Sequence, residues 1–269
     1  MTTPAKAYVV AGSESTGGAG FQVDIKTFQQ LGVYGIGTLT CIVNFDPNNG
    51  WNHRFHPIDP ALVAEQMESA MACHALDTVK IGMLGTPGVI EAVSASLKQQ
   101  EWKNIVVDPV LICKGQEPGA ALDTDNALRE HILPLATVVT PNVFESQVLS
   151  GMDTITCVDD LAEAAKRIGE HGVNYVVAKG GVEIPGNDAV DVIWDGTQII
   201  ETRRPKVGNE RVSGAGCTLA AAITAELAKG NDIVSAVETA RDVVSQGIVK
   251  RVEGATPFDT VWQGAIASK

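Results

Sequence analysis

The sequence predicts an α/β protein built on a mostly parallel central sheet with crossover helices and an antiparallel hairpin at one edge. Short apolar runs alternate with segments of helical period along most of the 269 residues. Runs such as Ile105-Val106-Val107 and Val176-Val177-Ala178 show no in/out alternation, so both faces of their sheet must be covered by helices. Asp195-Gly196 stands between two strand-like runs, 189–194 and 197–202, the signal of a two-residue hairpin and hence of an antiparallel edge.

In order, strands are expected at 8–11, 36–43, 78–83, 105–107, 137–139 and 175–178, followed by the hairpin. A helix carrying Asp24 and Lys26 in its early turns follows the first strand. The last quarter is helical, with an alanine-rich stretch at 219–229 and a 3.6-period stretch at 234–252. Hydrophobic residues make up 45% of the chain and no Pro-, Ser- or charge-rich linker interrupts it, so a single domain over 1–269 is expected.

The net charge of −12 argues against nucleic acid and anionic membranes as partners, since both are bound mainly through basic patches. A nucleotide ligand remains compatible, because backbone N–H groups, a few lysines and a divalent cation can hold phosphates on an acidic protein. Cys41, Cys73, Cys113, Cys157 and Cys217 are odd in number and form no C-x-x-C pair. They read as reduced thiols of a cytoplasmic protein rather than a disulfide framework or a zinc knuckle. Met1-Thr2-Thr3-Pro4 leads directly into the first strand, leaving no room for a signal peptide, and no apolar run is long enough to span a bilayer. The five histidines show no metal-ligand spacing.

Ligands of open parallel sheets gather beyond the carboxyl ends of the strands, so the residues following each run carry the functional reading. The first strand is followed by Gly12-Ser13-Glu14-Ser15-Thr16-Gly17-Gly18-Ala19-Gly20, a binding-type loop that is neither a Walker A motif nor G-x-G-x-x-G. Asp108, in Val107-Asp108-Pro109-Val110, can hold magnesium or align an acceptor hydroxyl, or simply open an Asx-Pro turn. Asn142 and Glu145 both face the sheet's end from a helix's first turn, a spacing that is equally a plain capping box. Lys179-Gly180-Gly181 suits phosphate binding. The run Gly214-Ala215-Gly216-Cys217-Thr218 puts a glycine turn and a thiol at a helix start, where backbone N–H groups and the dipole favour an anion. A thiol there is expected to have a lowered pKa and to relay a proton, against the alternative of a buried, inert cysteine.

These blocks together resemble a ribokinase-superfamily vitamin kinase. The branch is the one that contains hydroxymethylpyrimidine phosphate kinases and their pyridoxal-phosphorylating relatives, and the resemblance spans nearly the whole chain. It rests on Ala11-Gly12-Ser13 with Gly17-Gly18-Ala19-Gly20, Asp24-x-Lys26-Thr27-Phe28 and Lys80-Ile81-Gly82-Met83-Leu84. The second half adds Val107-Asp108-Pro109-Val110, Thr140-Pro141-Asn142-x-x-Glu145, Lys179-Gly180-Gly181 and Gly214-Ala215-Gly216-Cys217-Thr218. It implies a ribokinase-like three-layer α/β/α fold and ATP with Mg2+ as cofactors. The γ-phosphoryl group would pass to a hydroxymethyl on a pyridine or pyrimidine ring.

By this resemblance Asp108 and Glu145 organise the metal. Thr140, Asn142, Lys179, Gly180, Gly181 and Gly216 hold the nucleotide. Gly214, Ala215, Gly216 and Cys217 stabilise the transferring group, with Cys217 where most sugar kinases of the superfamily carry an aspartate base. Gly18, Ala19, Asp24, Asn44 and Met83 frame the substrate ring. Cys113, in Leu111-Ile112-Cys113-Lys114-Gly115, resembles a lid cysteine of the pyridoxal-preferring relatives, and a thiolate there can add reversibly to the aldehyde. The segment 45–53 resembles those relatives too, whereas Ser213 departs from the histidine often found before the glycine turn. The implied product is pyridoxal 5'-phosphate and the implied assembly a homodimer. The alternatives are a hydroxymethylpyrimidine kinase, a vitamin-binding sensor with weak transfer, and a cysteine hydrolase that would leave Asp108 and Lys179 without a role.

Overall fold

The computed structural model describes residues 3–111 and 118–266. Nine strands form one sheet: β1 (Lys6–Glu14), β2 (Tyr34–Asp46), β3 (Asn52–Pro57), β4 (Thr78–Ile81), β5 (Asn104–Val107), β6 (Val138–Val139), β7 (Tyr175–Lys179), β8 (Asp188–Trp194) and β9 (Ile199–Pro205). Their spatial order is β3-β2-β1-β4-β5-β6-β7-β8-β9. The six strands from β2 to β7 pair in parallel, and β3, β8 and β9 pair antiparallel at the two edges.

Alternation along the strands sorts the helices into two layers. Tyr8, Val10, Val79, Ile81, Val107 and Val139 face one side, and they pack on α2 (Pro60–Cys73), α3 (Pro87–Leu97), α4 (Pro118–His131), α5 (Val143–Ser150) and α6 (Val158–Gly169). Ala7, Val9, Ala11, Val106, Val138 and Val177 face the other, against α1 (Gly20–Gln30), α7 (Ala215–Ala228) and α8 (Ile233–Val249). The result is the three-layer α/β/α fold. The chain leaves β1 through α1 on one face but returns to β4 through α2 on the other. The strand order therefore reverses between β1 and β4, and a crevice opens at their carboxyl ends.

Two edges differ from expectation. β3 carries no apolar signal, because its Asn-His-Arg-Phe-His-Pro sequence is an exposed edge strand that needs only backbone pairing to β2. The β8–β9 connection is a four-residue loop, 195–198, rather than a two-residue turn. The Asp195 carboxylate accepts the N–H groups of Thr197 (2.9 Å) and Gln198 (2.8 Å), and this Asx arrangement holds the longer loop.

Most helices close their own first turns. Asp59 accepts from Ala61 N–H at the start of α2, Asn142 and Glu145 form a reciprocal capping box on α5, and Asp232 caps α8. Helix α7 is different. Its N-cap is Gly214 at φ +78°, with no side-chain cap; the Ala215 N–H turns back to the Val212 carbonyl, and the N–H groups of Gly216 and Cys217 are left for a ligand. A side chain at Gly214 would also collide with the carbonyl of Gly18, which ties the β1–α1 loop to the start of α7.

Candidate active site

The β1–β4 crevice holds a buried line of alternating charges. Lys80, on β4, donates to both carboxylate oxygens of Asp24 at 2.9 Å and lies 3.9 Å from Asp108. Lys179, closing β7, sits 3.2 Å from the other Asp108 oxygen. Lys80 and Asp24 are fully buried and Asp108 nearly so. Such charges are tolerable only because each faces an opposite one. Burial works against the charge on Lys80, but Asp24, Cys217 and Asp108 outweigh it and hold the ammonium above its ordinary pKa. Burial also opposes ionisation of Asp108, and the two lysines reverse that and lower its pKa.

Cys217 occupies the third position of α7, beside Asp108 and Lys80, and accepts the N–H of Gly20. The expected lowering of its pKa does not occur. Burial pushes the thiol up to about 12, Asp108 and Asp24 reinforce the shift, and Lys80 only partly opposes it. Cys217 is a neutral thiol at pH 7, hydrogen bonded to the Asp108 carboxylate. Cys217 keeps part of its surface open to the crevice, but desolvation by the protein around it outweighs the helix start.

Two cavities meet at the Gly214 turn. One, of about 410 Å³, is walled by Val43, Phe45, His53, Met83 and Phe258, with Ser13, Glu14, Ala19, Lys80 and Cys217 at its base. Phe45 packs against His53 and Phe258, with ring centroids 4.4 and 5.5 Å apart, giving an aromatic slot of the kind that holds a flat heterocycle. The second, of about 270 Å³, is lined by Asn142, Lys179, Gly181, Ala215 and Gly216 on the sheet side, and by Arg204, Lys206 and Val244 beyond. Residues 215–217 thus form the partition between them. A side-chain atom at Gly216 would come within 3.3 Å of the Lys179 ammonium, so glycine leaves the lysine room to reach across the partition.

Of the residues singled out from the sequence, Ala19, Met83, Asn142, Lys179, Gly181, Ala215, Gly216 and Cys217 line one or other cavity. The others stand around the cavities rather than on their walls. Asp24 is not on the cavity wall but beneath it, clamping Lys80. Asn44 is one position out of phase, since Val43 and Phe45 face the slot and strand alternation turns Asn44 away. Gly18 supports rather than lines: its N–H donates to Glu14 and its carbonyl packs on Gly214. Thr140 is buried beside Asp108, its hydroxyl 3.4 Å from Oδ1. The N–H of Gly180 is committed to Val190 and Asp191, so it does not face a phosphate. Glu145 is buried in its capping box, and burial raises its pKa to about 7, with Lys179 opposing and Asp108 adding to the shift. Cys113 lies outside the described residues.

Three contributors have no role assigned from the sequence, although Lys80 and Glu14 stand in motifs quoted there. Lys80 had a readable signal, a lysine inside the four-residue buried strand Thr78-Val79-Lys80-Ile81. Glu14 is buried, and its carboxylate gathers Thr16 N–H (2.6 Å), Thr16 hydroxyl (2.8 Å) and Gly18 N–H (3.1 Å), shaping the glycine loop. Asp191 pairs with the buried Arg241 and holds the Gly180 turn in place behind Lys179.

A parallel α/β sheet with a switch-point crevice, a glycine-turn helix start and a nucleotide-sized cavity beside a ring-sized one define a small-molecule kinase of the ribokinase-like class. The chain belongs to the phosphomethylpyrimidine kinase family, whose model matches residues 14–259. It is 44% identical over 243 residues to a pyridoxine kinase of Bacillus subtilis, covering 90% of both chains. It is also 37% identical over 246 residues to a hydroxymethylpyrimidine/phosphomethylpyrimidine kinase of the same organism, covering 90% of this chain and 89% of that one. Among solved structures it superposes on an ADP complex of Bacillus subtilis pyridoxal kinase with a TM-score of 0.93, 41% identity and 98% coverage of both chains. A Staphylococcus aureus pyridoxal kinase in complex with AMP-PCP and pyridoxal gives a TM-score of 0.90 at 34% identity, over 98% of this chain and 95% of that one.

Among the described residues, no helix is long and apolar enough to cross a membrane, and no group of three or more acidic, His or Cys side chains converges to hold a metal ion.

Proposed function

We propose that the protein transfers the γ-phosphoryl group of ATP to the 5'-hydroxymethyl of pyridoxal, and of pyridoxine and pyridoxamine, giving pyridoxal 5'-phosphate from the aldehyde. The observation that carries this reading is the pair of cavities meeting at residues 214–217. An aromatic slot of ring size opens there onto a basic cavity through a partition of uncapped N–H groups and a thiol. The pyridoxal- and pyridoxine-directed relatives support the choice of ring.

The residues divide the work. Lys179 and Asn142 take the phosphates in the donor cavity, and the first-turn N–H groups of α7 face the oxygens that gain charge as the phosphoryl leaves. Asp108 and Glu145 would provide hard oxygen ligands of the kind Mg2+ takes. The ion neutralises charge on the phosphates when bound. Lys80, clamped by Asp24, keeps the floor of the slot cationic. The acceptor hydroxyl proton passes to Cys217 Sγ as the thiol releases its own proton towards Asp108, so a neutral thiol serves as a relay without ionising beforehand. Cys113 is assigned to reversible capture of the pyridoxal aldehyde. A cytoplasmic homodimer is the expected state of the protein.

The family match and the 37% identical pyrimidine kinase support a second reading, phosphorylation of hydroxymethylpyrimidine. Turnover on pyridoxal, pyridoxine and hydroxymethylpyrimidine, with ATP and magnesium, separates the two. The B6 reading predicts the highest kcat/KM on a B6 ring, and a preference for the pyrimidine overturns it.

A further inference from the structure

Residues 211–213 lead into the Gly214 turn along the boundary of the two cavities. Among the described residues, Arg211 and Val212 are the two that line both. The segment is fixed just beyond them: Ser213 N–H donates to Asp259, Val261 N–H donates to Ser213, and Ala215 N–H donates to the Val212 carbonyl. Arg211 is therefore tethered within two residues of an anchored point, at the place where donor and acceptor must meet.

Its guanidinium differs from the other cations of the site in what holds it. Lys80 and Lys179 are committed to Asp24 and Asp108, both buried carboxylates. Arg211 pairs at 2.9 Å with Glu183 on the rim of the donor cavity, its side chain 70% exposed and that of Glu183 30%. A solvent-exposed ion pair contributes little, so a more highly charged group arriving between the cavities can take the arginine from it. A guanidinium also matches the paired oxygens of a phosphoryl group better than an ammonium does.

Resting on the kinase reading above, we infer that Arg211 is a further catalytic residue, which leaves Glu183 and contacts the phosphoryl group in transit from the donor cavity to the acceptor cavity. The bond from phosphorus to the nucleotide's β-phosphate oxygen breaks as the bond to the acceptor hydroxymethyl oxygen forms. The hydroxyl proton goes to Cys217, and Arg211 keeps its own protons throughout.

The test compares wild type, Arg211→Gln and Arg211→Lys in two assays: steady-state turnover on pyridoxal, and calorimetric binding of ADP alone and of ADP with magnesium, aluminium fluoride and pyridoxal. The glutamine variant should lose on the order of 10²-fold in kcat with little change in either KM. It should also lose a similar factor in affinity for the fluoride complex while binding ADP as wild type does, and lysine should restore part of both. Unchanged kcat, or an equal loss of affinity for ADP alone, overturns the assignment, the latter marking a residue that only holds nucleotide or loop. Wild type that neither turns over nor tightens on ADP with aluminium fluoride overturns the kinase reading itself, and is seen before any variant is made.

Discussion

Replacing Lys80 by methionine removes the cation that both buried carboxylates face and keeps most of the side-chain volume. Asp24 then stands in the interior without that counter-charge, since among the described residues its two oxygens are hydrogen bonded to Lys80 alone, at 2.9 Å. At an effective dielectric constant of about 20 a pair at that distance interacts by about 6 kcal/mol, which is too much for the carboxylate to stay ionised without its partner. Asp24 will take up a proton instead. That sets the size of the effect: holding a carboxyl of ordinary pKa 3.8 protonated costs about 4 kcal/mol at pH 7 and about 2 kcal/mol at pH 5.

The sign follows from the direction of the shift. Burial raises the folded-state pKa of Asp24, so the variant's stability is greatest at low pH and is lost as pH rises towards that value. Asp24 already lies at about 6 with Lys80 in place, so urea unfolding of Lys80→Met against wild type should show a deficit of at most about 4 kcal/mol at pH 7 that largely disappears by pH 5, where Asp24 is protonated in both proteins. The double variant Asp24→Asn, Lys80→Met should recover most of it, because no buried carboxylate is left without a counter-charge, Asp108 keeping Lys179 at 3.2 Å. A deficit below about 1 kcal/mol, or one independent of pH, would refute the claim that Lys80 is the cation that Asp24 depends on.

Cys217→Ala should lower kcat by on the order of 10²-fold while leaving the nucleotide KM within a few-fold, as measured by steady-state kinetics; unimpaired turnover removes the thiol from the proton path. Cys113→Ala should lower kcat/KM for pyridoxal more than for pyridoxine, and equal losses on the two exclude aldehyde capture. Tyr8 is buried against Thr38, and burial raises its pKa to about 12. Its contribution is present below pH 10 and is lost between pH 10 and 12, so wild type should lose about 3 kcal/mol more than Tyr8→Phe over that range in chemical denaturation.

The sheet was legible because its strands are buried on both faces: every parallel strand shows as an apolar run, and each expected run overlaps an observed strand. Strand β3 was not, since an exposed edge strand needs no apolar residue to pair. The site was half legible for a similar reason. Backbone devices such as the Gly214 turn leave a composition signal, whereas the phase of a side chain leaves one only if the strand register is known, so the sequence did not show that Val43 and Phe45, rather than Asn44, face the slot. Asn142 and Glu145 satisfied the capping-box reading in full, yet the same box sets Asn142 at the donor cavity, so cap and site are one feature. The raised pKa of Cys217 was not legible because it comes from burial in the folded crevice and from Asp108 and Asp24, both about a hundred or more positions away.

The central claim is that donor and acceptor meet across residues 214–217. A crystal structure of the protein with magnesium, AMP-PCP and pyridoxal tests it most directly. The pyridine ring should lie in the slot between Phe45, Met83 and Phe258, its hydroxymethyl oxygen facing Cys217 Sγ, with the γ-phosphate against the first-turn N–H groups of α7. A ring bound away from that slot, or a γ-phosphate remote from Gly214, would contradict the account.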